Sequence, residues 1–182
     1  MDKLWIRVRS LFGAATQGSE MKPVPGGLVR LPTGGIRLIG AYHLDVRPVS
    51  NADYTLFIQA TGADRPPWMH RPGFGEPEQP VVGVTLVEAR RYARWAGKRL
   101  PSAAEWVRAG MGTDRRPYPW GEGEPDFGLA HFGRGKSGSP SPVEDVAQRR
   151  AGGSGPFGPF DLLGNVWEWC TDSMSGRSYW FN

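Results

Sequence analysis

Glycine and proline recur from one end of the chain to the other, and this punctuation limits the fold more than any other feature. There are 26 glycines and 17 prolines among 182 residues, just under a quarter of the chain and about twice ordinary usage. Both residues break helix interiors, which excludes a helix bundle. The absence of a Gly-X-Y period excludes collagen. Eight Trp, eight Phe and five Tyr carry too much apolar surface for a chain disordered throughout. What is left is a compact, loop-rich domain with a few short elements, long enough to bury a core without disulfide staples.

Charge and cysteine usage narrow the setting. The net charge of +4, from 22 basic and 18 acidic residues, permits weak attraction to acidic partners and does not point to nucleic acid. A single cysteine, Cys170, forbids an internal disulfide and fits a reducing compartment, so a cytoplasmic protein is expected. No uncharged apolar run reaches the length of a transmembrane segment. The opening Met1-Asp2-Lys3-Leu4-Trp5-Ile6-Arg7-Val8-Arg9-Ser10-Leu11-Phe12 is interrupted by two arginines and is not a signal peptide. As a helix it would place Leu4, Trp5, Val8, Leu11 and Phe12 on one face, suited to docking on a membrane surface or a partner. As a strand, Leu4, Ile6 and Val8 alternate with polar neighbours equally well, and a packed or frayed terminus is the plainer reading. We divide the chain into an amphipathic or frayed N-terminal segment, 1–23, and one domain, 24–182.

Within the domain, residues 13–35 read as linker and turns, and the short apolar runs 36–39 and 41–46 as strands. Ser50, with Asp53 three residues on, caps a helix over 51–60 that puts Tyr54, Phe57 and Ile58 on one face before Gly62 ends it. Residues 61–83 form a long Pro/Gly loop carrying Trp68 and Phe74, of a kind usually functional or mobile. Thr85-x-x-Glu88 opens a second helix with Leu86, Ala89, Ala93 and Ala96 on one face and Gly97 at its end. Ser102-x-x-Glu105 opens a third, short one through Trp106. Arg90, Arg94 and Lys98, four residues apart, read as a solvated face rather than an anion site. Residues 133–158 resemble a surface insertion.

One block stands out for chemistry. Asp161 and Glu168 lie seven residues apart with Gly164 between them. A hard cation such as calcium takes six to eight oxygens, and these two side chains with the carbonyls of Gly164 and Val166 would supply four. The other reading is a turn whose acids cap backbone groups. His43, His70 and His131 show no metal-ligand spacing. Cys170 reads as a small hydrophobe facing the core. No phosphate-binding loop or Gly-x-Ser-x-Gly elbow is present.

Taken together, Gln79-Pro80-Val81-Val82-Gly83-Val84-Thr85, Trp95-Ala96-Gly97-Lys98-Arg99-Leu100-Pro101-Ser102-Ala103-Ala104-Glu105-Trp106, Tyr118-Pro119-Trp120-Gly121 and Phe160-Asp161-Leu162-Leu163-Gly164-Asn165-Val166-Trp167-Glu168-Trp169-Cys170 resemble, in order and spacing, the formylglycine-generating enzyme or sulfatase-modifying factor family. The likeness runs from about residue 24 to 172. It implies an α+β, C-type-lectin-like, loop-rich fold with few short helices and strands. It also implies a calcium ion held by Asp161, Gly164, Val166 and Glu168. His131 stands where the family's second cation site has an Asn, which argues against a second ion.

Sulfatase-activating members of that family oxidise a substrate cysteine to formylglycine with O₂ and a copper ion held by two cysteines beyond the Gly-Asn-Val-Trp-Glu-Trp block. Carbon–sulfur-bond-forming relatives use iron and a His-rich motif near the N-terminus. Neither metal centre can be assembled from these residues, so copper is not expected on this chain. Three readings stay open: a C-terminally truncated copy of a family enzyme, a non-catalytic module binding a protein, peptide or small ligand, and an accessory protein docked on a membrane or complex through residues 1–12.

Overall fold

The computed structural model describes residues 20–114, 116–132, 139–140 and 154–172, together with the backbone of three short strands outside them. In chain order the elements are β1 (Leu4–Trp5), β2 (Arg9–Ser10), β3 (Met21–Val24), β4 (Gly27–Arg30), β5 (Ile36–Ile39), β6 (Tyr42–Asp45), α1 (Asn51–Thr61), a 3₁₀ turn (Pro67–His70), α2 (Leu86–Trp95), α3 (Ala103–Met111), β7 (Trp167–Trp169) and β8 (Trp180–Phe181). The fold mixes helix and strand and is rich in loops, as the glycine and proline content requires.

All three helices begin at capping boxes. Ser50, Thr85 and Ser102 each accept a hydrogen bond from the backbone N–H three residues on, while Asp53, Glu88 and Glu105 reach back to the cap. Gly62 ends α1 in the left-handed conformation, φ 67°, where glycine has no steric penalty. The third helix runs five residues past Trp106, continuing through the buried Gly110, and ends at Gly112 with φ 66°.

Three small sheets surround these helices. In the first, β7 lies centrally, parallel to β1 and antiparallel to β8. In the second, β6 lies between β2 and β3, antiparallel to both. The third is the antiparallel hairpin β4–β5. Two of these strands, β3 and β4, fall inside the stretch 13–35 expected to be linker. Pro23 obscured the first: β3 is an edge strand, where a proline without an N–H is tolerated. Of the two readings of residues 1–12, the described pairs 4–5 and 9–10 are strands.

The core has two main parts. Between α1 and α2, Tyr54 and Tyr92 stack with ring centroids 5.5 Å apart, and Phe57 meets both edge-on. The aliphatic partners there include Val49, Val81, Val84, Ala89, Ala93 and Leu100. The second part joins Val24, Tyr42 and Leu44 of the sheet to Trp106 and Ala109 of α3 and to Leu162 and Cys170. Residues distant in sequence therefore share one apolar interior.

Two expectations about loops change. The 61–83 segment is anchored: Trp68 and Phe74 pack against Val82 and Val166, and Asn51 Nδ2 donates to the carbonyls of Phe74 and Glu76. The described parts of the 133–158 stretch are also packed. Pro140 is buried and accepts a hydrogen bond from Gln79, and Gly155 is buried against Leu162 and the Ala109 carbonyl.

Candidate functional site: the turn at 161–168 and the Lys-Arg-Leu-Pro corner

The block that stood out in the sequence forms a tight turn leading into β7. Asp161 and Asn165, both non-glycine, adopt φ 53°, and Gly164 adopts φ 80°. Asp and Asn tolerate this left-handed region better than other side chains. Gly164 is required on two counts. Its φ favours glycine, and a Cβ there would lie 2.8 Å from the His131 carbonyl oxygen. The turn is stapled internally by Asn165 Nδ2 donating to Asp161 Oδ2 at 2.9 Å. The Asn165 N–H donates to the His131 carbonyl and the Val166 N–H to the Gly164 carbonyl, each at 2.6 Å.

Both carboxylates of the block face inward: Asp161 is 4% exposed and Glu168 0%. Glu168 sits in the middle strand of its sheet, opposite Trp5 on one side and Phe181 on the other. A carboxylate in such a place must be paired, hydrogen-bonded or bound to a cation. Val166 is buried against Phe74 and Val82. Thus the four residues named from the sequence, Asp161, Gly164, Val166 and Glu168, belong to one turn and the strand that continues it. Among the described residues no three His, Cys, Asp or Glu side chains converge as metal ligands. The donors this turn offers are oxygens, from two carboxylates and from main-chain carbonyls.

The second block meets the first. Lys98 is buried and bonds Asp45 of β6 at 2.7 Å, so it leaves the arginine-rich face of α2 on which Arg90 and Arg94 remain exposed. Arg99 holds both oxygens of Glu105, at 3.0 and 2.7 Å. Such a fork is among the stronger side-chain pairings. Glu105 also completes the α3 cap. Across the junction, the Thr171 N–H donates to the Pro101 carbonyl at 2.8 Å. Asp172 Oδ1 accepts from the Ala103 N–H at the α3 N-terminus at 2.8 Å. Trp169 Nε1 donates to the Val84 carbonyl at 2.9 Å.

Cys170 lies in this junction, fully buried. Burial first, then the nearby charges of Glu168, Asp172 and Glu105, push its thiol well above the ordinary range. It packs as the small hydrophobe expected from the sequence, with a firmly held proton.

Two contributors escaped the sequence reading. Asn165 stands within the block with no local mark of its role, and its signal is the placement of an Asn four residues after an Asp in a glycine turn, the spacing that lets it staple the turn. Asp172 lies just past the block, and nothing short of the fold places it at the start of α3.

The model of the sulfatase-modifying factor enzyme 1-like domain matches residues 8–179. The chain belongs to this family. Among its relatives, the sulfatase-modifying factor domain is 32% identical over 168 residues to hercynine oxygenase of Mycolicibacterium smegmatis, covering 75% of this chain and 38% of that protein. It is 35% identical over 169 residues to the serine/threonine-protein kinase Pkn1 of Chlamydia trachomatis, covering 82% and 25%. To the formylglycine-generating enzyme of Thermomonospora curvata it is 29% identical over 223 residues, covering 85% and 72%. Among solved structures, PvdO of Pseudomonas aeruginosa superposes with a TM-score of 0.63 at 23% identity, covering 92% of this chain and 78% of that one, which supports the fold. The chain spans about two fifths or less of the hercynine oxygenase and kinase relatives.

Proposed function

We propose that these residues form a binding module on the sulfatase-modifying factor scaffold, with a calcium ion held in the 161–168 turn, and do not themselves oxidise thiols. The observation that carries this reading is the state of Cys170, the one cysteine in the sequence: it is wholly buried among carboxylates, where neither a copper ion nor O₂ has a thiolate to meet. The donors of the turn fit a hard cation, being carboxylate and carbonyl oxygens alone. Asp161 and Glu168 would hold the ion with the carbonyls of Gly164 and Val166, and its charge would offset two buried carboxylates. The ligand we envisage is a protein or peptide segment rather than nucleic acid, met in the cytoplasm. No described helix is long and apolar enough to cross a membrane.

A second reading, a scaffold portion of a longer family oxidase, is favoured by the partial coverage of the hercynine oxygenase relative.

Calcium titration tests the first reading. An ion bound only by the folded state at about a hundred times its Kd adds about 2.7 kcal/mol, read as a rise in Tm. Glu168→Ala and Asp161→Asn should each abolish that rise, and an unchanged response in both variants rejects the ion. A peptide with a sulfatase-type cysteine, copper and O₂ should yield no aldehyde; aldehyde formation would return the protein to the enzymes.

A further inference from the structure

The β4–β5 hairpin departs from the usual rule for a one-sided antiparallel sheet, apolar within and polar without. Its inner face is ordinary: Val29 and Ile39 pack on Ala104, Val107 and Met111 of α3. Its outer face carries Leu28 directly opposite Leu38 and Arg30 opposite Ile36. Leu28 is 68% exposed, Ile36 50% and Leu38 78%, so three of the four outward side chains are aliphatic and uncovered.

Charge says what would cover them. No Asp or Glu occurs between Glu20 and Asp45. Arg30, on the outer face, and Arg37, opposite Val29 in the register but with its guanidinium turned to the Ile36 carbonyl beside the hairpin turn, are exposed and meet no carboxylate among the described residues. The face is therefore apolar with a cationic margin, complementary to a surface that is apolar beneath an anionic layer. Size points the same way. Two four-residue strands have a projected footprint of roughly 130 Å², a small patch beside the roughly 800 Å² of accessible surface that each partner buries in a stable protein interface. A bilayer needs only a few inserted aliphatic groups and adjacent basic side chains.

We propose that the outer face of the β4–β5 hairpin docks on an anionic lipid surface, with Leu28, Ile36 and Leu38 entering the headgroup boundary, Arg30 meeting the lipid phosphates and carboxylates from the same face and Arg37 from the turn end of the hairpin. This surface is separate from the 161–168 turn.

The test uses the whole chain with vesicles of phosphatidylcholine alone or with about one third phosphatidylserine. The protein should sediment with the anionic vesicles, be released by high salt and ignore the neutral ones. Leu28→Thr with Leu38→Thr, both strand-compatible and at exposed positions, should weaken binding about tenfold or more without lowering Tm. Independently, Leu38→Cys labelled with a polarity-sensitive dye should shift to the blue on anionic vesicles; buried Cys170 leaves the new thiol as the reactive one. Absence of both sedimentation and shift overturns the proposal, as does binding that the double threonine variant leaves intact. A concentration-dependent dimer abolished by the same variant would assign the face to a second copy and equally overturn it.

Discussion

Lys98 and Asp45 bury two full charges side by side, joining the end of α2 to the central strand of a sheet. Taking an ammonium and a carboxylate out of water costs several kcal/mol each, and their attraction repays it only while both are present. Truncating one partner removes the opposite charge that the other was buried against. Lys98→Met or Asp45→Leu should each lower unfolding free energy by about 3–5 kcal/mol, measured by urea denaturation. The double substitution should recover most of that loss, because two apolar groups leave nothing to solvate. An additive result would show that the pair is not coupled. This residue was legible only by its company. Its four-residue spacing from Arg90 and Arg94 pointed to a solvated face, and nothing local distinguishes the lysine that turns inward. The cue lay in the Gly-Lys-Arg-Leu-Pro block. Gly97, at φ 69°, ends the helical course, and Lys98 is carried away from the exposed row.

At the level of elements, the three helices were readable because each start is chemically marked, with a hydroxyl cap and an acid three residues later. Their faces followed from 3.6-residue spacing, and Tyr54, Phe57, Ala89 and Ala93 are buried accordingly. Strands were less readable. β3 and β4 carry Pro23 and Gly27, residues that elsewhere mark turns, and they persist because partner strands and α3 supply what local propensity does not. Loop 61–83 shows the same limit: its composition suggests freedom, while two aromatic anchors decide the matter. The lock has a specific keyhole. A Cβ on Gly83 would lie 2.2 Å from Trp68 Cδ1, and the residue holds φ 73°. Gly83→Ala should therefore cost about 2–4 kcal/mol, combining left-handed strain with overpacking. It should also loosen the loop, read as faster proteolysis within 61–83. A variant as stable and as resistant as the parent would show that Trp68 is free to move aside.

For the molecule as a whole, the decisive arrangement is the meeting of the Lys-Arg-Leu-Pro corner with the Gly-Asn-Val-Trp turn through Thr171, Asp172 and Trp169. The family resemblance foretold that these distant blocks belong together, whereas the hydrogen bonds that join them depend on the packed chain. The core between α1 and α2 makes a further global prediction. Burial, reinforced by nearby carboxylates, raises the phenols of Tyr54 and Tyr92 far above their usual value of 10.0. In the unfolded chain both ionise near pH 10, while in the folded state they keep their protons. Folded protein then binds more protons than unfolded, so stability is fully present below about pH 10 and falls as pH rises past it. Absorbance titration should show Tyr54 and Tyr92 ionising only on unfolding, and Tyr92→Phe should flatten the alkaline decline. Ionisation of all five tyrosines before loss of structure would contradict this.

The sheet built on β7 has a topological corollary. Trp5 and Phe181 both lie opposite Glu168, on either side of one strand, and so stand about 10 Å apart across the ladder. Stretches far apart in sequence meet at this one strand, so the sheet can close only late, once the polypeptide between them has been gathered in.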